Sequence, residues 1–200
     1  MGTKLEGKKV AFVVTDGFEQ HELTGPLKAL ADEGADCDVI SPKDGKVKGW
    51  KLGDWGDEIE VDVNLKDADA STYDALVLPG GVINPDKLRV MPEVIVFVRK
   101  FFDAGKPVGA ICHGPWTLID AGVVEGRTMT SWPSVRTDLV NAGAKWVDAE
   151  VVCDDGLVTS RKPEDVPAFS RKLAEEIVEG LHGEARARRN AARREGAGAP

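Results

Sequence analysis

Apolar, β-branched runs alternate with amphipathic helical segments along most of this chain, and that alternation leaves few folds open. Residues 8–15 (KKVAFVVT), 35–41, 74–79 (DALVLP) and 108–111 read as strands, the first, third and fourth of them buried, and each is closed by a glycine or proline turn signal or leads into one. Between them the apolar spacing is helical. Residues 19–34 carry Leu23, Leu27, Leu30 and Ala31, with Pro26 tolerated in the first turns, and residues 85–104 carry Leu88, Val90, Val94, Val98 and Phe101. A short helix starts at Gly114-Pro115 and ends at Gly122. Further helices are predicted over 134–142 and 163–180, and further strands over 127–131, 146–153 and 157–160, the last two around the tight turn Asp154-Asp155-Gly156. Residues 47–63, broken by Gly49, Gly53 and Gly56, read as a small hairpin. Strands that alternate with helices in this way imply an α/β, doubly wound, mostly parallel sheet with helices on both faces. Ligands of such sheets bind beyond the C-terminal strand ends.

The 200 residues suffice for one domain with a substantial core and no disulfides, assigned to residues 1–182. Residues 183–200 (GEARARRNAARREGAGAP) form a separate tail with no apolar side chain larger than alanine, expected to be a frayed helix or disordered. The net charge is −8, and the tail's five arginines against two glutamates leave the body more acidic still. That balance argues against nucleic acid as a partner. Three cysteines without paired spacing suit a reducing compartment. With no signal-peptide pattern and no apolar run of spanning length, a cytoplasmic protein without membrane contact is expected. The first strand leads into TDGFEQ rather than G-x-G-x-x-G, there is no Walker loop, and His21, His113 and His182 lack ligand spacing. No cofactor and no metal are therefore expected.

One stretch carries chemistry. In KPVGAICHGPWTLIDAG, Cys112 falls at the C-terminal tip of a buried strand, with a helix start just after it. The positive end of that helix favours a thiolate, read as small and water-exposed. Ala110 and Gly114, two residues to either side, are small enough for the sharp turn of a nucleophile elbow, and His113 can serve as base or acid. A buried, inert thiol is the competing reading, and it is preferred for Cys37 and Cys153, which have no neighbouring histidine or helix start. Glu19 and Glu22 share a face of the first helix and could supply a neutral acid to steady the sulfur. They would equally serve as first-turn glutamates opposing the helix dipole. Gly80 and Gly81 leave N–H groups for an oxyanion hole, or form a plain turn.

Four ordered segments, DGFEQHEL, DALVLPGG, AICHGP and TSWPSVRTDLVNAGAKWVDAEVV, make the chain resemble the ThiJ/PfpI superfamily, PfpI-like branch. The resemblance implies the flavodoxin-like, class I glutamine amidotransferase-like fold. It also implies Cys112 as nucleophile, His113 beside it, Glu22 bonded to the thiol with Glu19 secondary, and Gly81 and the His113 backbone as oxyanion donors. Gly80, Gly114 and Trp116 complete the substrate pocket. An acid contributed by a neighbouring subunit of a homodimer or larger homo-oligomer orients the histidine in this branch. Asp86, in VINPDKLR, is the candidate here, or else an ordinary acidic residue in the first turn after Pro85. The implied activity is attack on carbonyls of reactive dicarbonyls or their early protein adducts, in a stress-protective, deglycase- or glyoxalase-like role. Intracellular cysteine peptidase and non-catalytic redox sensor or holdase are the alternatives, with a small-molecule carbonyl or a peptide as substrate.

Overall fold

The structure, a computed structural model, describes residues 4–180. The expected tail, the end of the assigned domain and His182 lie outside the described residues. The chain runs through β1 (Lys9–Val13), β2 (Phe18–Glu19), α1 (Gln20–Asp32), β3 (Asp36–Ser41), β4 (Lys46–Lys51), β5 (Asp54–Glu60) and β6 (Val63–Asn64). It continues through β7 (Ala75–Leu78), α2 (Ile83–Leu88), α3 (Pro92–Asp103), β8 (Val108–Ile111), α4 (Pro115–Asp120), β9 (Thr128–Met129) and α5 (Arg136–Asn141). β10 (Lys145–Trp146), β11 (Val151–Asp154), β12 (Leu157–Ser160) and α6 (Val166–Glu179) close it.

Seven strands form the central sheet in the order β11-β12-β8-β7-β1-β3-β6, and every pairing except β11 with β12 is parallel. Side chains alternate across it. Val10, Phe12, Val14 and Val77 pack with α1 and α6, while Ala11, Val13, Leu76 and Leu78 pack with α3, α4 and α5. Both faces are covered, so the core strands read as unbroken apolar runs. The chain leaves β1 for β3 on one side and later returns to β7 on the other side of β1. The crevice above the ends of β1 and β7 is thus a topological switch point, where doubly wound folds bind ligands. This is the fold expected.

Local differences have local causes. The helix expected over 85–104 is two helices, because Pro92 pushes Met91 out of the helical region (φ −94, ψ 109). The strand expected over 127–131 shrinks to β9, which pairs with β10 in a separate two-stranded sheet. Side chains take its outward donors instead: Asp154 accepts from Thr128 N at 2.6 Å and Thr159 Oγ1 from Thr130 N at 3.0 Å. The hairpin is β4 with β5, turned at Leu52 and Gly53, both at positive φ as a primed turn requires. β2 pairs with β4 and holds the hairpin beside the start of α1. Among the described residues no helix is long and apolar enough to cross a membrane.

Candidate active site

β8 ends at Ile111, and the chain turns into α4 through Cys112 at φ +62. That left-handed conformation costs an L-residue roughly 1–2 kcal/mol, and it lifts the side chain off the strand end as a nucleophile elbow does. The turn is pinned from both sides: Cys112 N donates to Ser160 O at 3.0 Å, and Cys112 O accepts from Trp132 N at 2.9 Å. Two glycines make room for it. A Cβ on Gly80 would stand 2.5 Å from Glu22 Oε2 and 2.6 Å from Cys112 Cβ, and one on Gly114 would meet the Leu78 carbonyl oxygen. The strand ends carrying Gly80 and Cys112 are adjacent because β7 and β8 pair in parallel.

Glu22 reaches this point from the first turn of α1 and is fully buried. Its Oε2 accepts from Gly80 N–H at 2.9 Å, and its carboxyl interacts with the Cys112 thiol. Among the described residues Oε1 has no partner within hydrogen-bond distance. Burial pushes Glu22 up to about 8, with the Glu19 charge adding to the shift, so it is a neutral acid at pH 7. Glu19 is itself raised by partial burial, and it borders a cleft of 580 Å³ between Trp50 and Leu52 of the hairpin and Pro163–Glu164.

The thiol differs from its expected form. Cys112 is 7% exposed, and α4 has only six residues with which to build a dipole. Burial pushes the thiol up, and any charge on Glu22 pushes it further, whereas the N–H groups of Gly81 and His113 face the sulfur and pull the other way. Burial thus favours the thiol over the water-exposed thiolate expected, and a neighbouring base shifts that balance toward the nucleophile.

A base is present. His113 Nδ1 lies 3.2 Å from Cys112 Sγ, and burial lowers the imidazole's proton affinity, so it is neutral at pH 7. Its Nε2 lies 3.2 Å from Ser134 Oγ. Trp132 stacks on the ring at 6.3 Å, and Trp116 meets it edge-on at 5.0 Å, held by a bond from its Nε1 to Asp138. The structure thus brings together Cys112, His113, Glu22, Gly80, Gly81, Gly114 and Trp116, with Glu19 beside them. Asp86 is elsewhere, exposed on α2. Ser134 and Trp132 were not singled out in the sequence. Both lie in the TSWPSV stretch, and no periodicity marks either one, since only the fold brings residue 134 to residue 113.

One consequence is measurable. Below pH 4.5, the ordinary value for Glu22, the acid is protonated in folded and unfolded chains alike and its stabilisation is fully present. Above it only the unfolded chain gives up the proton, so stability falls by about 1.4 kcal/mol per pH unit until the pH passes the folded value. Glu22→Gln has no such slope. Chemical denaturation from pH 5 to pH 8 is expected to show the variant gaining on the parent chain as pH rises. Parallel curves would return Glu22 to the ordinary range.

Doubly wound topology with a cysteine elbow on the strand beside its switch point defines a flavodoxin-like α/β protein. The model described as the DJ-1/PfpI family matches residues 8–176, and the chain belongs to that family. It is 46% identical to General stress protein 18 of Bacillus subtilis over 83% of this chain and 95% of that one. It is 42% identical to Protein/nucleic acid deglycase 2 of Escherichia coli over 82% and 95%. Among solved structures, Schizosaccharomyces pombe DJ-1 matches with a TM-score of 0.75 and 29% identity, over 84% of this chain and 90% of that one. The family includes proteins named as enzymes.

Proposed function

We propose that the chain is a cysteine-dependent, stress-protective enzyme that attacks carbonyls of reactive dicarbonyls or of their early adducts on amines. The observation that carries this is the strained Cys112 with His113 Nδ1 3.2 Å from its sulfur. As Sγ adds to the carbonyl carbon, the thiol proton passes to Nδ1 of His113. The N–H groups of Gly81 and His113 receive the developing oxyanion, and neutral Glu22 donates a hydrogen bond at the sulfur. The proton then moves from His113 to the oxygen, giving a hemithioacetal. A proton shift between the two former carbonyl carbons gives a thioester. Water hydrolyses the thioester to a hydroxy acid, restoring the thiol. An early adduct enters the same sequence when its hemiaminal C–N bond breaks, the amine leaving with the hydroxyl proton and the aldehyde carbonyl re-forming for attack. The E. coli relative's name supports this class of substrate.

A homo-oligomer is part of the proposal, since Val82, Val90 and Val96 are exposed on the same stretch as Asp86 and suit a contact between copies. The test is incubation with methylglyoxal-treated N-acetylarginine or N-acetyllysine, following hydroxy acid by chromatography, with casein peptides in parallel. Hydroxy acid formation is expected. Casein cleavage without adduct turnover would make the chain a peptidase, and neither activity would leave a non-catalytic thiol.

A further inference from the structure

We propose that Ser134 is the positioning residue that makes His113 a base, by accepting a hydrogen bond from Nε2–H and so leaving Nδ1 free to take the Cys112 proton. This rests on the reading of Cys112 and His113 as the reacting pair. A neutral imidazole carries one proton, and the nitrogen that holds it is decided by the partner of the other. His113 has two polar neighbours, Cys112 Sγ at Nδ1 and Ser134 Oγ at Nε2, both at 3.2 Å. If Nε2–H points to the hydroxyl, Nδ1 presents its lone pair to the thiol. When the thiol proton arrives, the imidazolium keeps the Ser134 bond and now donates from both nitrogens.

Among the described residues no charged side chain bonds the ring, and the hydroxyl is the group that does. The ring is walled by Trp116 and Trp132, and burial lowers its proton affinity. Around it, Glu22 of α1 faces Cys112 and is held neutral, Asp138 of α5 is bonded to Trp116 Nε1, and Arg89, just past α2, lies over the far side of Trp116, paired with Asp120 of α4. Asp86, the acid expected from a second copy, is exposed on α2. Nε2 is the atom such an acid would have to reach, and within the chain it is Ser134 that bonds there. Ser134 is placed by the short turn Pro133–Val135, whose entry at Trp132 is tied to Cys112 O. The hydroxyl and the elbow therefore keep register with each other.

Alkylation of Cys112 by iodoacetamide, followed against pH by peptide mapping, reads the pair without any substrate. The rate climbs as His113 becomes neutral, then reaches a plateau set by the balance between thiol–imidazole and thiolate–imidazolium. Ser134→Ala weakens the imidazolium, so the midpoint is expected to move down by about half to one pH unit and the plateau to fall by the same factor, about three- to tenfold. Ser134→Asp puts a carboxylate at Nε2 and is expected to do the opposite, raising midpoint and plateau together, while Ser134→Thr restores the parent profile. A residue that merely fills the turn would move neither. Profiles of Ser134→Ala and Ser134→Asp that superpose on the parent, in folded protein by circular dichroism, would overturn the proposal. So would an Asp86→Ala profile showing the shift that Ser134→Ala lacks. Failure of the parent chain to turn over dicarbonyl adducts, with the Ser134 shifts present, would overturn the reading of function and leave Ser134 in its role.

Discussion

Cys112→Ser is expected to lower kcat/KM on dicarbonyl adducts by at least about 10³-fold, leaving only what the binding groups contribute. The oxygen is nearly isosteric, so Gly81 and His113 N–H groups, Glu22 and the turn remain in place. What disappears is a sulfur able to give up its proton to a weak base. Burial has already lowered the proton affinity of His113 and raised that of Cys112. A serine hydroxyl, far less acidic than a thiol, widens that gap beyond what one imidazole can close. Thermal unfolding should be unchanged within a degree or two, because the backbone strain at φ +62 belongs to either side chain. Activity within tenfold of the parent would remove Cys112 as nucleophile. Substantial activity lost together with the fold would show the thiol to be a core group first.

Gly114→Ala should give a large loss of stability from a single methyl group, about 3 kcal/mol, the upper end of what overpacking costs. The backbone there is helical, φ −49 and ψ −36, so alanine suffers no conformational penalty. The whole effect comes from a Cβ driven against the Leu78 carbonyl, with the Ile111 carbonyl, which accepts from Gly114 N, at 3.0 Å, both of them backbone oxygens at the ends of paired strands. For a domain of this size that corresponds to a fall of roughly 6–12 °C in Tm. Calorimetry on the variant decides it. A fall below about 2 °C would mean the elbow can shift, and the tight fit between β7 and α4 would no longer explain the glycine.

The pattern of elements was legible because each reports through short-range physics. Val10 to Val14 and Ala75 to Leu78 are apolar on both faces only because helices cover both, so the strands announce the layering of the sheet. Pro92 shows where that reading stops. A proline suits the first turn of a helix, yet a single long helix was expected across it, since Leu88 to Phe101 keep helical spacing through the break. Residues 127–131 failed for another reason, because Asp154 and Thr159 take their donors and no sequence rule forecasts a side chain substituting for a strand. At the site, Cys112 and Gly114 were visible because a strand-to-helix elbow demands small neighbours, and Gly80 because a Gly-Gly pair closes a buried strand. Glu22 was visible only as one of two glutamates with an ordinary alternative.

Sequence alone determined the fold class, the position of the elbow on the strand that carries it, and the family to which the four segments point. These depend on periodicity and on turn chemistry, which act over a few residues. Tertiary structure alone decided the protonation of the site and its partners. Whether Cys112 rests as a thiol or a thiolate depends on how much water α1 and the Gly80–Gly81 turn exclude, and exclusion is a property of packing. Which of Asp86 and Ser134 meets His113 within the chain depends on where a loop 21 residues downstream returns, and the contact between Ser134 Oγ and Nε2 exists only once Trp132 has bonded back to Cys112.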